Sequence, residues 1–123
     1  MKMKEIDILN TIADIIHSKK GYNILCLEVK KNSSMTDYII ICEGHIERHI
    51  KSISDEIEKK LKNIKVTPLH IDGNRNSPWI VLDYLNILIH IFRPETRREY
   101  KIEELYKDAK IVNVKIKERK RHD

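Results

Sequence analysis

The residues best suited to chemistry fall in two places. Cys42-x2-His45-x3-His49 has a spacing compatible with zinc, because histidines four apart can share one helix face. A fourth ligand is not evident, and Cys42 closes an apolar run. A buried cysteine with two surface histidines accounts better for the pattern. The second place is Asp83 and His90, on the two strands of an expected hairpin. Such a pair would orient an imidazole for base catalysis, but no Ser or Cys stands beside it in sequence as a nucleophile. A structural pair is the expectation. Phosphate chemistry is served no better. The three glycines are isolated and make neither a Walker-type nor a dinucleotide loop. Two-metal phosphoryl transfer needs closely placed carboxylates, usually Asp-x-Asp on one strand, and none occurs. Glu103-Glu104 are neighbours on an expected helix, where adjacent side chains diverge. The sequence therefore points away from an enzyme, with no metal and no cofactor.

The elements that hold these residues follow from periodicity. Ile8, Ile12, Ile15 and Ile16 form a helical stripe that ends near Gly21. Residues 24–29 and 38–42 are expected as buried strands around a polar turn. Ile46, Ile50, Ile53, Ile57, Leu61 and Ile64 mark the clearest helix. Its other face carries Asp55/Lys59, Glu56/Lys60 and Glu58/Lys62, acid before base at four-residue spacing, as expected of a solvated face. Residues 66–71 predict an edge or bulged strand containing Pro68. After the loop at residues 73–78, strands at 79–84 and 87–92 meet in a tight turn at Leu85-Asn86. Pro94 opens a helix expected to run through residue 109, and residues 111–116 alternate as a last strand. The order α-β-β-α-β-β-β-α-β predicts a single α/β domain with a mixed β-sheet flanked by helices.

Composition agrees. In 123 residues there are 22 isoleucines against two alanines, a β-branched density that suits a sheet-rich core. Two cysteines build no disulfide framework, so a reducing compartment is the default. No apolar run approaches the roughly 18 residues of a membrane span. Asp7, Asn10 and Asp14 interrupt any signal-peptide core, which leaves a cytoplasmic location as the expectation. The net charge is +5, but Lys115, Lys117, Arg119, Lys120 and Arg121 all lie in the last nine residues with only two acids. Without that segment 19 bases face 17 acids, so the body carries only +2. The expected division is a domain over residues 1–114 and a basic tail over 115–123. Such a tail attracts phosphate backbones regardless of sequence, or is simply a solvated terminus.

With a two-residue turn at Leu85-Asn86, one hairpin face pairs Tyr84 with Ile87, Leu82 with Ile89 and Ile80 with Ile91. That apolar face should meet the helices. The other face pairs Trp79 with Phe92, Val81 with His90 and Asp83 with Leu88. Asp83 and His90 become diagonal neighbours within reach of each other. Large aromatics mixed with a carboxylate and an imidazole resemble a protein-binding hot spot more than a core. A second buried face under another element remains the alternative.

Several motifs together resemble the ribosomal silencing factors, or Iojap-like proteins. They are Thr36-Asp37-Tyr38-Ile39-Ile40-Ile41, Gly44 followed by Arg48-His49-Ile50, and Asp72-Gly73. To these are added Trp79-Ile80-Val81-Leu82-Asp83-Tyr84, Ile89-His90-Ile91-Phe92 and Arg97-x-x-Tyr100-x-x-Glu103-x-Leu105-Tyr106. Each is weak alone, and order and spacing make the match specific from about residue 24 to residue 109. The chain departs from the pattern at Gly44-His45-Ile46 (usually Gly-x-Ser) and at Asp72-Gly73 (usually Glu-Gly). It departs again at Leu105-Tyr106 (usually Leu-Trp) and at Leu85-Asn86, where the family has Gly-Asp. Leu85 thus replaces a residue free to take positive φ.

The resemblance implies a nucleotidyltransferase-like α/β fold without the catalytic carboxylates. It also implies binding to the large ribosomal subunit through ribosomal protein fourteen, where a bound protein blocks joining of the small subunit and lowers translation in nutrient shortage. Family members can also form homodimers, and the hairpin face that carries Trp79 and Phe92 could serve either the ribosome or a second copy. On this reading Trp79 is the buried anchor with Phe92 beside it, Asp83 and His90 give polar specificity, and Arg97 and Tyr100 complete the patch. The competing reading is a general RNA-binding module that uses the basic tail.

Overall fold

A computed structural model of the chain describes residues 4–30 and 36–116. In chain order it contains α1 (Glu5–Ser18), β1 (Tyr22–Glu28), β2 (Tyr38–Glu43), α2 (Glu47–Asn63), β3 (His70–Asp72), β4 (Trp79–Asp83) and β5 (Ile87–Phe92). Then follow α3 (Pro94–Tyr100), a 3-10 turn (Ile102–Tyr106) and β6 (Lys110–Ile111). The strands form one sheet in the order β3-β4-β5-β2-β1-β6. Only β2 and β5 run parallel, joined by a crossover that includes α2; the other pairs are antiparallel. The expected mixed sheet flanked by helices is what the chain forms.

Burial follows the apolar pattern. Every residue of β2 is buried, as its unbroken Tyr-Ile-Ile-Ile-Cys run requires of a strand covered on both faces. On one face Leu9, Ile12 and Ile16 of α1 and Ile50, Ile53, Ile57 and Leu61 of α2 pack on Ile40, Ile80, Leu82, Ile89 and Ile91. The opposite face is thinner. Leu27, Val29, Ile39, Ile41 and Phe92 are covered by Ile102, Tyr106 and Ala109, from the segment after α3.

Three expected elements are shorter than their periodicity suggests. The helix predicted for residues 94–109 stops at Tyr100, where Lys101 takes a left-handed conformation (φ 47°). The chain turns there so that Ile102 can enter the thin core layer, and a 3-10 turn follows. The strand predicted at 66–71 pairs only over His70–Asp72, and that at 111–116 only over Lys110–Ile111. Just beyond β6 the Val112 amide still donates to Cys26 O of β1 at 2.9 Å; Val112 and Val114 then pack on the main core and the Lys115 amide donates to Asn10 Oδ1 at 2.8 Å. No helix among the described residues is long and apolar enough to cross a membrane.

Candidate functional site

The hairpin register matches the expected one pair for pair, from Trp79 opposite Phe92 to Asp83 opposite Leu88. Alternation then does the rest. Ile80 and Leu82 are buried under the helices, while Trp79, Val81 and Asp83 point to the thin face and stay half-buried. The two-residue turn forms as expected, with the Tyr84 amide donating to Ile87 O at 2.9 Å. The Asn86 amide donates to Tyr84 O at 2.9 Å across Leu85, whose φ is 71°. An i to i+2 bond around a positive φ is the rare, strained form of γ-turn. Asp83 Oδ1 accepts the Leu85 amide at 2.8 Å and steadies it, while Asn86 O receives the amides of Asp37 and Tyr38. At the other end of β4, Gly73 has φ 117°, and a Cβ there would meet Ile80 Cγ1 at 3.0 Å and Trp79 O at 3.1 Å. Glycine lets the β3–β4 loop close against the strand that carries Trp79.

Trp79 is the centre of an aromatic cluster. Its ring stacks on Phe92 at 4.6 Å and meets Tyr100 at 5.1 Å and His90 at 5.8 Å. The indole N–H donates to His90 Nδ1 at 3.1 Å, which leaves the imidazole proton on Nε2. Burial pushes the His90 pKa down to about 4, so the ring is neutral and can accept this bond at pH 7. The expected Asp83–His90 pairing does not form: the aspartate serves the turn and the histidine serves the tryptophan. Phe92 is wholly buried, so it is a floor beneath the indole rather than a surface of its own. Tyr100, more than half exposed, borders the cluster from α3.

Arg97 is not free to meet a partner. Its Nη1 donates to Glu43 Oε2 at 2.9 Å and to Asn23 O at 2.7 Å, and its Nε donates to Glu103 Oε1 at 3.1 Å. The arginine and Glu43 side chains are only 12% and 10% exposed. The Asn23 carbonyl is offered by a bulge in β1, where φ is 51° and two residues oppose one of β2. Arg97 therefore ties α3 and the 3-10 turn to the sheet and so fixes Tyr100 beside Trp79. Periodicity gave no sign of this cluster, apart from an acid, Glu43, ending an apolar strand.

The Cys/His spacing has a structural use. The His45 amide donates to His49 Nδ1 at 2.9 Å, and His49 Nε2 lies 2.7 Å from Lys19 O, so both ring nitrogens are engaged. Cys42 is fully buried, and desolvation raises its thiol to about 12. Of the expected tail contacts, Lys115 lies on α1, and Lys117, Arg119, Lys120 and Arg121 fall outside the described residues.

What emerges is an aromatic surface held by a buried ion cluster, suited to contact. Comparison with known proteins supplies the context. Residues 2–123 match the family described as "Ribosomal silencing factor during starvation". The ribosomal silencing factor of Halalkalibacterium halodurans is 24% identical over 112 residues, covering 91% of this chain and 96% of that protein. That of Bacillus subtilis is 25% identical over 112 residues, covering 91% and 95%. The mouse protein named "Mitochondrial assembly of ribosomal large subunit protein 1" is 25% identical over 101 residues, covering 80% of this chain and 44% of its own length. A crystal structure of a Chromobacterium violaceum protein superposes with a TM-score of 0.81 at 25% identity, over 85% of this chain and 88% of that one. One from Bacillus halodurans gives 0.77 at 22% identity, over 88% and 98%, and shares the fold. With the family match extending over residues 2–123, the chain belongs to the ribosomal silencing factor family.

Proposed function

We propose that this chain binds the large ribosomal subunit through ribosomal protein fourteen and prevents the small subunit from joining, which represses translation when nutrients are scarce. Family membership supports the ribosomal role, and the large subunit is the particle named for the mouse relative. The observation that carries the contact site is Trp79. A tryptophan half-buried among Phe92, His90 and Tyr100, with its N–H bonded, presents a rigid ring face, the kind of group that dominates protein interfaces. Trp79 and Tyr100 are the contact residues, His90 and Asp83 give polar definition, Phe92 supports from beneath, and Arg97 positions α3. The mechanism is exclusion: a folded domain occupies surface that the small subunit needs, and no bond is made or broken.

Truncating such an anchor weakens binding by about 2 kcal/mol or more, roughly 30-fold in Kd. The test is co-sedimentation of purified large subunits with wild type, Trp79→Ala and the exposed-site variant Tyr100→Ala, each checked for folding by circular dichroism. Loss of binding in the folded variants supports the assignment. Wild-type affinity in both would refute it.

A further inference from the structure

Arg48, Ser52, Asp55 and Lys59 recur every three or four residues along the outer side of α2 and form one stripe. Its charges do not pair as their spacing suggests. Asp55 turns back to Lys51 instead of forward to Lys59, while Glu56 pairs with Lys60 at 3.9 Å. Two other segments meet this stripe: Lys19 and Lys20 just after α1, and Arg75 from the loop between β3 and β4. Lys19, Arg48, Lys51, Lys59 and Arg75 border one depression of about 540 Å³. Lys19 continues into a second, of about 440 Å³, that also takes in Lys20.

The two acids of the larger depression, Asp55 and Glu56, are already paired. Lys19, Lys20, Arg48, Lys59 and Arg75 make no ion pair with any described residue. From Arg48 to Lys59 the helix rises roughly 16 Å. A single small anion would meet only one end of such a strip, whereas a polyanion with closely spaced charges matches its length. No Trp, Tyr or Phe borders either depression, and of the other rings only His45 and His49 border the smaller one, so recognition would be chiefly of the backbone. The strip lies on the helical side of the sheet, away from the face that carries Trp79.

We propose that this ridge, formed by the end of α1, the outer stripe of α2 and Arg75, binds the phosphate backbone of a folded RNA. The preference for phosphates follows from the charges; only the choice of RNA rests on the ribosomal reading above. The folded domain, and not the terminal segment alone, then supplies a salt-sensitive contact independent of the hairpin.

The test uses the full chain and an RNA stem-loop of about 16 base pairs, the span a double-stranded RNA module covers. Fluorescence anisotropy from low to moderate salt compares wild type, Trp79→Ala and the triple variant Arg48→Gln/Lys59→Gln/Arg75→Gln. All three substituted side chains are exposed, so folding is unaffected. The triple variant should lose about one unit of salt slope per removed contact and bind at least about tenfold more weakly at low salt. Trp79→Ala should bind the stem-loop as wild type does, even where it no longer binds subunits. A triple variant with wild-type Kd and slope overturns the proposal. So does displacement of the RNA by poly-glutamate at equal charge, which would mark the ridge as a site for acidic protein.

Discussion

Replacing Arg97 by methionine keeps most of the side-chain volume and removes the charge that two carboxylates share. Glu43, at 10% exposure, then has a buried negative charge with no partner, and Asn23 O loses its donor. Breaking a buried pair from one side typically costs about 3–5 kcal/mol. Glu103 is one-third exposed and adds little, since water can take over its solvation. The expected loss is therefore about 3 kcal/mol, a large share of the 5–15 kcal/mol that holds a domain of this size. Lys51→Met is the internal control: its pair with Asp55 is exposed on both sides, and removal should cost about 1 kcal/mol or less. Urea unfolding followed by circular dichroism gives both values. Adding Glu43→Gln to Arg97→Met should restore part of the loss. Release of α3 also takes Tyr100 off the indole, so Trp79 emission should shift to the red. If Arg97→Met costs no more than Lys51→Met, the cluster is not what fixes α3, and that reasoning fails.

Other outcomes follow from the same surface. His90 has a folded pKa near 4 against about 6.5 unfolded, so the unfolded chain binds the extra proton between those values. Stability should be flat on this account above about pH 6.5. It should fall as pH drops toward 4, by up to about 3 kcal/mol, and His90→Gln should flatten the profile measured by urea unfolding at each pH. Leu85→Gly should relieve the positive φ and stabilise the hairpin by up to about 1 kcal/mol, read as a rise in urea midpoint without a change in slope. Gly73→Ala should destabilise by at least about 1 kcal/mol, because Cβ at φ 117° crowds Ile80 and the Trp79 carbonyl; thermal unfolding checks this.

The parts legible in the sequence are those where one periodicity acts alone. Alternation from Trp79 to Phe92 specifies the hairpin register, because a one-residue slip would turn Ile80, Leu82, Ile89 and Ile91 to the wrong face. The isoleucine stripe of α2 is legible for the same reason. Legibility ends where the outcome depends on distant partners. Lys101 breaks the last helix although nothing local marks it, because Ile102 gains more from the thin core layer than the turn costs. Arg97 resembles a surface arginine in sequence, and its partners Glu43 and Asn23 lie 54 and 74 residues away. The Asp83–His90 expectation fails because both side chains have nearer partners, the Leu85 amide and the Trp79 indole. At Leu85 the chain keeps a positive-φ turn without the glycine that would make it easy, held by Asp83 and by the bonds to Asn86 O.

The central claim is that this domain acts by occupying the face through which the large subunit meets the small one. The most direct measurement adds purified small subunits to large subunits preloaded with the protein and follows joining by light scattering. Wild-type protein should hold the large subunits apart in proportion to its occupancy, and folded Trp79→Ala should let them join. Saturating wild-type protein on large subunits that still join small subunits at the normal rate and extent would contradict the account.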